Sequence, residues 1–170
     1  MSTGHDTGSD AGIPTTERSL LVIGVGNRDR GDDAVGPVVC DLVRAADIAG
    51  VDTLVLEGSV VDLPMHWEPD DRVVIVDAAA PDGRPGRITD VDAIADRLVA
   101  PGTLSTHPVD VAAAVELARA MGRMPAELSI VGIEGASFAF GDELGPAVRH
   151  AAGRVVERIS RRAARATAGR

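Results

Sequence analysis

At 170 residues the chain is long enough for one domain with a substantial core, and no repeat or shift in composition marks a second. Hydrophobic residues make up 45% but aromatics only 2%, so Val, Ile, Leu and Ala must fill the core, and no aromatic platform is available for stacking nucleic-acid bases. The net charge of −9 argues against nucleic acid and anionic membranes as partners, no apolar run approaches the ~18 residues of a membrane span, and the single cysteine excludes an internal disulfide.

Residues 1–18 are mostly Gly, Ser, Thr and Asp with little to bury, and are expected to be a disordered tail; His5 is set aside with them. They lack the charged-then-apolar pattern of a signal peptide, which makes the cytoplasm the expected compartment. Residues 20–25 (LLVIGV) are an apolar, β-branched run of the kind buried on both faces of a parallel sheet. After a polar turn, Val35, Val38, Val39, Leu42 and Val43 recur at offsets of three and four and mark one face of a helix. Residues 51–56 (VDTLVL) read as a second strand, followed by Glu57. The stretch 60–67 is too short for a full helix, and Val61, Met65 and Trp67 would cover the sheet.

Residues 72–76 (RVVIV) read as the third strand, ending at Asp77, and residues 87–91 as a short edge strand. A loop over 100–106 leads to His107, after which a helix is expected from Pro108 to about Met121, with Val111, Val115 and Leu117 or Ala118 inward and Gly122 as its stop. Residues 128–133 (LSIVGI) form the last strand, followed by Glu134. A long helix is expected from Asp142 to about Ala164, apolar at Leu144, Val148, Val155, Val156 and Ile159. The folded domain is expected over residues 19–162, with residues 163–170 an Arg-rich tail. Alternating strands and helices predict an α/β fold of three layers, a twisted, mostly parallel five-stranded sheet with helices on both faces.

A parallel sheet collects its strand C-termini at one edge, where open α/β sheets bind ligands. Asp33, Glu57, Asp77 and Glu134 all fall just beyond a strand, and His107 begins a helix. Such acids can cap helices and fix loops, or join an imidazole in a site for a divalent transition metal. Gly24 and Gly26 look like the start of a dinucleotide fingerprint, but Asp29 holds the third glycine's place, Gly31 comes two residues late, and the chain has no lysine. A non-catalytic Rossmann-type nucleotide or metal-binding module is the rival reading. Asp32 alone could be an N-cap, which leaves Asp33 unassigned. Cys40 is expected to be a buried apolar residue, and Ser59, Ser105 and Ser137 lack the GxSxG setting of a nucleophile.

The stretch LVIGVGNRDRGDDAVG resembles the opening signature of the hydrogenase maturation endopeptidases, GxGNxxxxDDxxG or GxGNxxxxDExxG. The likeness continues through EGS, VIVDA, STH and VGIE in the family's order and covers roughly residues 20–151. It implies an aspartic-type endopeptidase that removes the C-terminal peptide from the precursor of a nickel–iron hydrogenase large subunit. It places the metal-contacting, catalytic residues at Asp33, Asp77 and His107, with the nickel carried by the substrate precursor rather than held tightly by the free enzyme. Asn27, Asp32 and Glu57 would orient a ligand or touch the substrate. Two positions depart from the family: Asp33 stands where many members have Glu, one methylene longer, and PVDV follows His107 where a Gly-containing stretch is common. The chemistry implied is a metal that polarises the scissile carbonyl or lowers the pKa of a bound water.

Overall fold

The computed structural model describes residues 19–96 and 111–168. Strands β1 (Leu20–Val25), β2 (Val51–Leu56), β3 (Arg72–Ala79), β4 (Ile88–Asp92) and β5 (Glu127–Glu134) form one sheet in the order β2-β1-β3-β5-β4. All pairings are parallel except that of β4, which runs antiparallel along the edge beside β5. The mostly parallel five-stranded sheet is therefore as the alternation of apolar runs predicts.

Side chains of a strand alternate between faces, and here they sort into two cores. Leu20, Val22, Val74, Val76, Ala78, Val131 and Ile133 pack beneath α1 (Val35–Ala45) and α3 (Pro146–Ala168). On the other face Ile23, Val25, Val73, Ile75, Leu128 and Ile130 are covered by α2 (Val111–Ala120) together with Val60, Leu63 and Trp67. The indole of Trp67 is pinned there, its Nε1–H donating to the carbonyl of Arg123 at 2.7 Å.

Several boundaries differ from expectation, each for a local reason. β3 runs on to Ala79 because its ladder with β5 continues through Asp77↔Gly132, Ala78↔Ile133 and Ala79↔Glu134. Alanine carries little strand propensity, so the extension leaves almost no signal. Asp77 thus lies inside a strand, and Glu134 is the last residue of β5 rather than beyond it. Between β2 and β3 a three-residue 3-10 turn, Leu63–Met65, buries Leu63 and turns Val61 and Met65 outward. The inward partner of Val115 in α2 is Ala118, with Leu117 exposed. α3 starts at Pro146 rather than Asp142, because a proline at the first helical position fixes φ without losing a helical donor. It continues past Arg162 to Ala168, and Ala163 is buried. His107, Ser105, the expected helix start at 108–110 and the tail 1–18 lie outside the described residues.

α1 meets the sheet backbone to backbone. A methyl group on Gly36 would stand 2.2 Å from the carbonyl oxygen of Val25 and 2.6 Å from that of Val76, so the first turn of the helix sits directly over β1 and β3. Gly36→Ala should force the helix off the strands and cost about 2 kcal/mol, as overpacking does. For a chain of this size that predicts a Tm lower by roughly 4–8 °C, readable by circular dichroism.

Candidate functional site

The sheet order reverses at β1, with β2 on one side and β3 on the other. The crevice outside the carboxyl ends of β1 and β3 is therefore the topological switch point, where such sheets take their ligands. β1 ends at Val25 and the chain swings away at Gly26, whose φ of 142° is foreign to side-chain-bearing residues. A Cβ there would lie 1.9 Å from the carbonyl oxygen of Asp33, so Gly26 also makes room for the returning turn. That turn, a 3-10 segment over Gly31–Ala34, packs against β3 and leads straight into α1.

Two carboxylates are brought to this edge. Asp33 is fully buried, and its Oδ2 accepts the backbone N–H of Asn27 at 3.0 Å. Asp77 is fully buried too, one position beyond Val76, which pairs with Gly24 of β1. Its Oδ1 accepts the N–H of Ala78 at 2.8 Å, which fixes the carboxylate against the strand. Strand alternation places Asp77 on the face that α2 covers. The third residue implied by the resemblance, His107, precedes the first described residue of α2, Val111, by four positions and lies outside the described residues. Among the described residues no group of three His, Cys, Asp or Glu side chains is placed to hold a metal ion. Asp33 and Asp77 offer two hard oxygen ligands, and a three-ligand site would need its third from elsewhere.

The other acids of the predicted constellation serve the fold. Asp32 is not a cap on its own helix. Its Oδ2 accepts from the N–H groups of Ala136 (2.7 Å) and Ser137 (3.2 Å), and its Oδ1 from that of Gly145 (2.7 Å), immediately before α3. Glu134 is consumed likewise: Oε1 accepts from the N–H of Asp82 at 2.7 Å and of Arg84 at 2.5 Å, and Oε2 from Arg87 Nε at 3.0 Å. Burial pushes the Glu134 carboxyl up, but these N–H groups and the Arg87 guanidinium outweigh it and hold it below its ordinary value. Glu57 does not join the buried pair. It is half exposed and faces Arg28 at 3.2 Å, which in turn grips Asp41. Asn27 contributes its main chain to Asp33, while its side-chain oxygen accepts the N–H of Asp29 at 2.9 Å.

Among the described residues the alternative nucleophiles are engaged. Cys40 is buried on the inner face of α1 with its thiol toward the carbonyl of Leu54 at 3.4 Å, and burial pushes its pKa up to about 11. Ser137 donates its hydroxyl to Asp142 at 2.5 Å, and Ser59 Oγ accepts the N–H of Val61 at 3.3 Å. Gly24 has a packing reason as well, since a Cβ there would stand 2.3 Å from the carbonyl oxygen of Gly36. The fingerprint-like glycines are thus accounted for without a nucleotide. Sequence reasoning missed the roles of Asp32 and Glu134 because their partners lie more than 40 residues away, Asp32 and Gly145 being 113 apart and Glu134 and Arg87 47 apart.

A profile of the family described as hydrogenase maturation protease (HycI) matches residues 59–162. Among solved structures the chain is similar to the [NiFe] hydrogenase maturation protease HybD from Thermococcus kodakarensis, at 24% identity and a TM-score of 0.68 over 85% of this chain and 99% of that one. It is similar also to a hydrogenase 2 maturation peptidase from a Thaumarchaeota archaeon, at 26% identity and a TM-score of 0.58 over 83% and 95% of the two chains. The hydrogenase maturating endopeptidase HybD from E. coli matches at 23% identity with a TM-score of 0.63 over 83% and 89%. The likenesses below 25% identity bear on the fold. No curated protein sequence matches the chain.

Asp32→Ala should leave three part-buried N–H groups without their acceptor and cost roughly 2–3 kcal/mol, measured by urea unfolding. Glu134 should make its contribution visible in acid. Its folded pKa lies below the ordinary 4.5, so its stabilisation is full above that pH and is lost as pH falls through the folded value. Glu134→Gln should flatten that acid limb of the stability curve while lowering stability at neutral pH.

Proposed function

The chain belongs to the hydrogenase maturation protease family, and on that premise we propose that it removes the C-terminal peptide from the nickel-loaded precursor of a nickel–iron hydrogenase large subunit, using Asp33, Asp77 and His107 at the switch point. As a family member it is a peptidase acting in hydrogenase maturation. The observation that carries the residue assignment is that two carboxylates are fully buried toward this edge, Asp33 in the turn that follows β1 and Asp77 near the carboxyl end of β3.

Two main-chain donors orient that pair. The N–H of Asn27 holds one oxygen of Asp33, and the N–H of Ala78 holds one oxygen of Asp77. Carboxylates held in this way have fixed lone pairs to present and lose little freedom when a cation arrives. His107 would supply a softer nitrogen ligand. A divalent metal bound there supplies Lewis-acid polarisation of the scissile carbonyl, or a bound water of lowered pKa. In this reading the nickel is part of the substrate, and the enzyme recognises a precursor only when its metal has been installed. The burial of Cys40 and the engagement of the Ser137 hydroxyl by Asp142 support a route without a covalent intermediate on those residues.

Purified enzyme should cut nickel-loaded precursor and leave nickel-free precursor intact. Asp33→Asn, Asp77→Asn and His107→Ala should each slow cleavage by about 100-fold or more, because the Lewis-acid contribution is worth several kcal/mol and each 1.4 kcal/mol is tenfold. The melting temperature of wild type should not move on adding a chelator. Tight stoichiometric zinc in the purified protein, with efficient cutting of metal-free precursor, would instead make this a conventional metalloprotease.

A further inference from the structure

Toward the amino end of the strands, away from the carboxyl edge, a cavity of about 410 Å³ opens between the C-terminal half of α3 and strands β3, β4 and β5. At ~3.3 Å per residue, Arg72 at its rim stands roughly 17 Å along β3 from Asp77. Five arginines line the cavity, Arg72, Arg158, Arg161, Arg162 and Arg165, against one acid, Asp90. Val74, Val131 and Ile159 give it an apolar floor. In a chain of net charge −9, this is a local reversal of sign.

The arginines are also incompletely neutralised by the protein. Glu127 takes up Arg72 and Arg162, each at 3.1 Å, and Arg162 also donates to Ser129 Oγ at 2.7 Å. Arg161 reaches Glu157 only at 3.8 Å, and among the described residues Arg158 and Arg165 have no acidic partner. Arg158, Arg161, Arg162 and Arg165 stand three, four and seven positions apart on one helix. Like charges at those spacings oppose helix formation. The helix dipole offsets this only in the last turn, and Arg158 lies ten residues before Ala168.

We propose that this cavity binds a small molecule bearing a polyphosphate group. Several cations converging on one volume call for a multiply charged anion, and the planar guanidinium fork matches phosphoryl oxygens two at a time. The volume is that of a small-ligand site rather than a flat protein interface, for which ~300–1,000 Å³ is usual. The apolar floor would take the uncharged body of the same ligand. No residue of the cavity belongs to the proposed catalytic set, so this site and the proteolytic reading stand or fall separately.

The test is calorimetric titration of the full chain with inorganic pyrophosphate, and in parallel with citrate, at physiological ionic strength. Pyrophosphate should bind saturably and raise the melting temperature. The exposed double variant Arg158→Glu/Arg165→Glu should weaken binding at least ~tenfold, while Arg84→Glu, a charge reversal on a distant loop, should leave it unchanged. Circular dichroism checks that both variants fold, and Arg158→Gln/Arg165→Gln serves in place of the reversal if it does not. Absence of saturable pyrophosphate binding, binding undiminished in the double variant, or citrate binding as tight as pyrophosphate would each overturn the proposal.

Discussion

The carboxylate of Asp32 is the contact on which the carboxyl end of the molecule depends. Through three backbone N–H groups it ties the turn after β1 to the loop after β5 and to the residue before α3. Further main-chain bonds run alongside: the N–H of Asp32 donates to Ser137 at 2.8 Å, that of Gly31 to Asp142 at 3.2 Å, and that of Gly141 to Asp29 at 2.7 Å. A buried carboxylate is tolerable only when its lone pairs are filled, and here peptide groups fill them, helped by the positive end of α3. Asp33 follows directly in the chain, so the same clamp that closes the fold also holds a candidate ligand in place.

Close approach of backbones does the rest of the positioning. Gly24, Gly26 and Gly36 bring strand, turn and helix closer than any side chain would permit. Because α1 lies so low over β1 and β3, its preceding turn reaches the ends of both strands instead of standing above them. Asp77 comes to the carboxyl edge by a different route, as a charged residue buried in a strand between Val76 and Ala78.

The strands and their parallel order could be read from the sequence because unbroken Val and Ile runs have few other uses. That Asp77 would stand at the carboxyl side of the third strand was legible for the same reason, since it follows directly on the run RVVIV. What the chain hid was long-range. Asp32 and Glu134 look in sequence like members of the same acidic set, yet their oxygens are taken by peptide groups that only the finished fold brings near. The alanines at the end of β3 hid its true length, and a three-residue turn sent Val61 and Met65 to solvent where a helical or strand period would have set both on one covering face. Glu57 was drawn to the set by its place after β2, but an exposed arginine nearby holds it at the surface.

The lone thiol gives the molecule a property of its own. Cys40 sits between α1 and β1 with a pKa of about 11, so at neutral pH only about one in ten thousand thiols is ionised. A thiol-reactive reagent can find it only when that helix lifts from the strands. The rate at which Cys40 becomes labelled is therefore a clock for breathing of the layer that carries Asp33, and it runs without any added probe. Air and mild oxidants meet the same barrier, so the resting protein should need no reductant to keep its single sulfur intact.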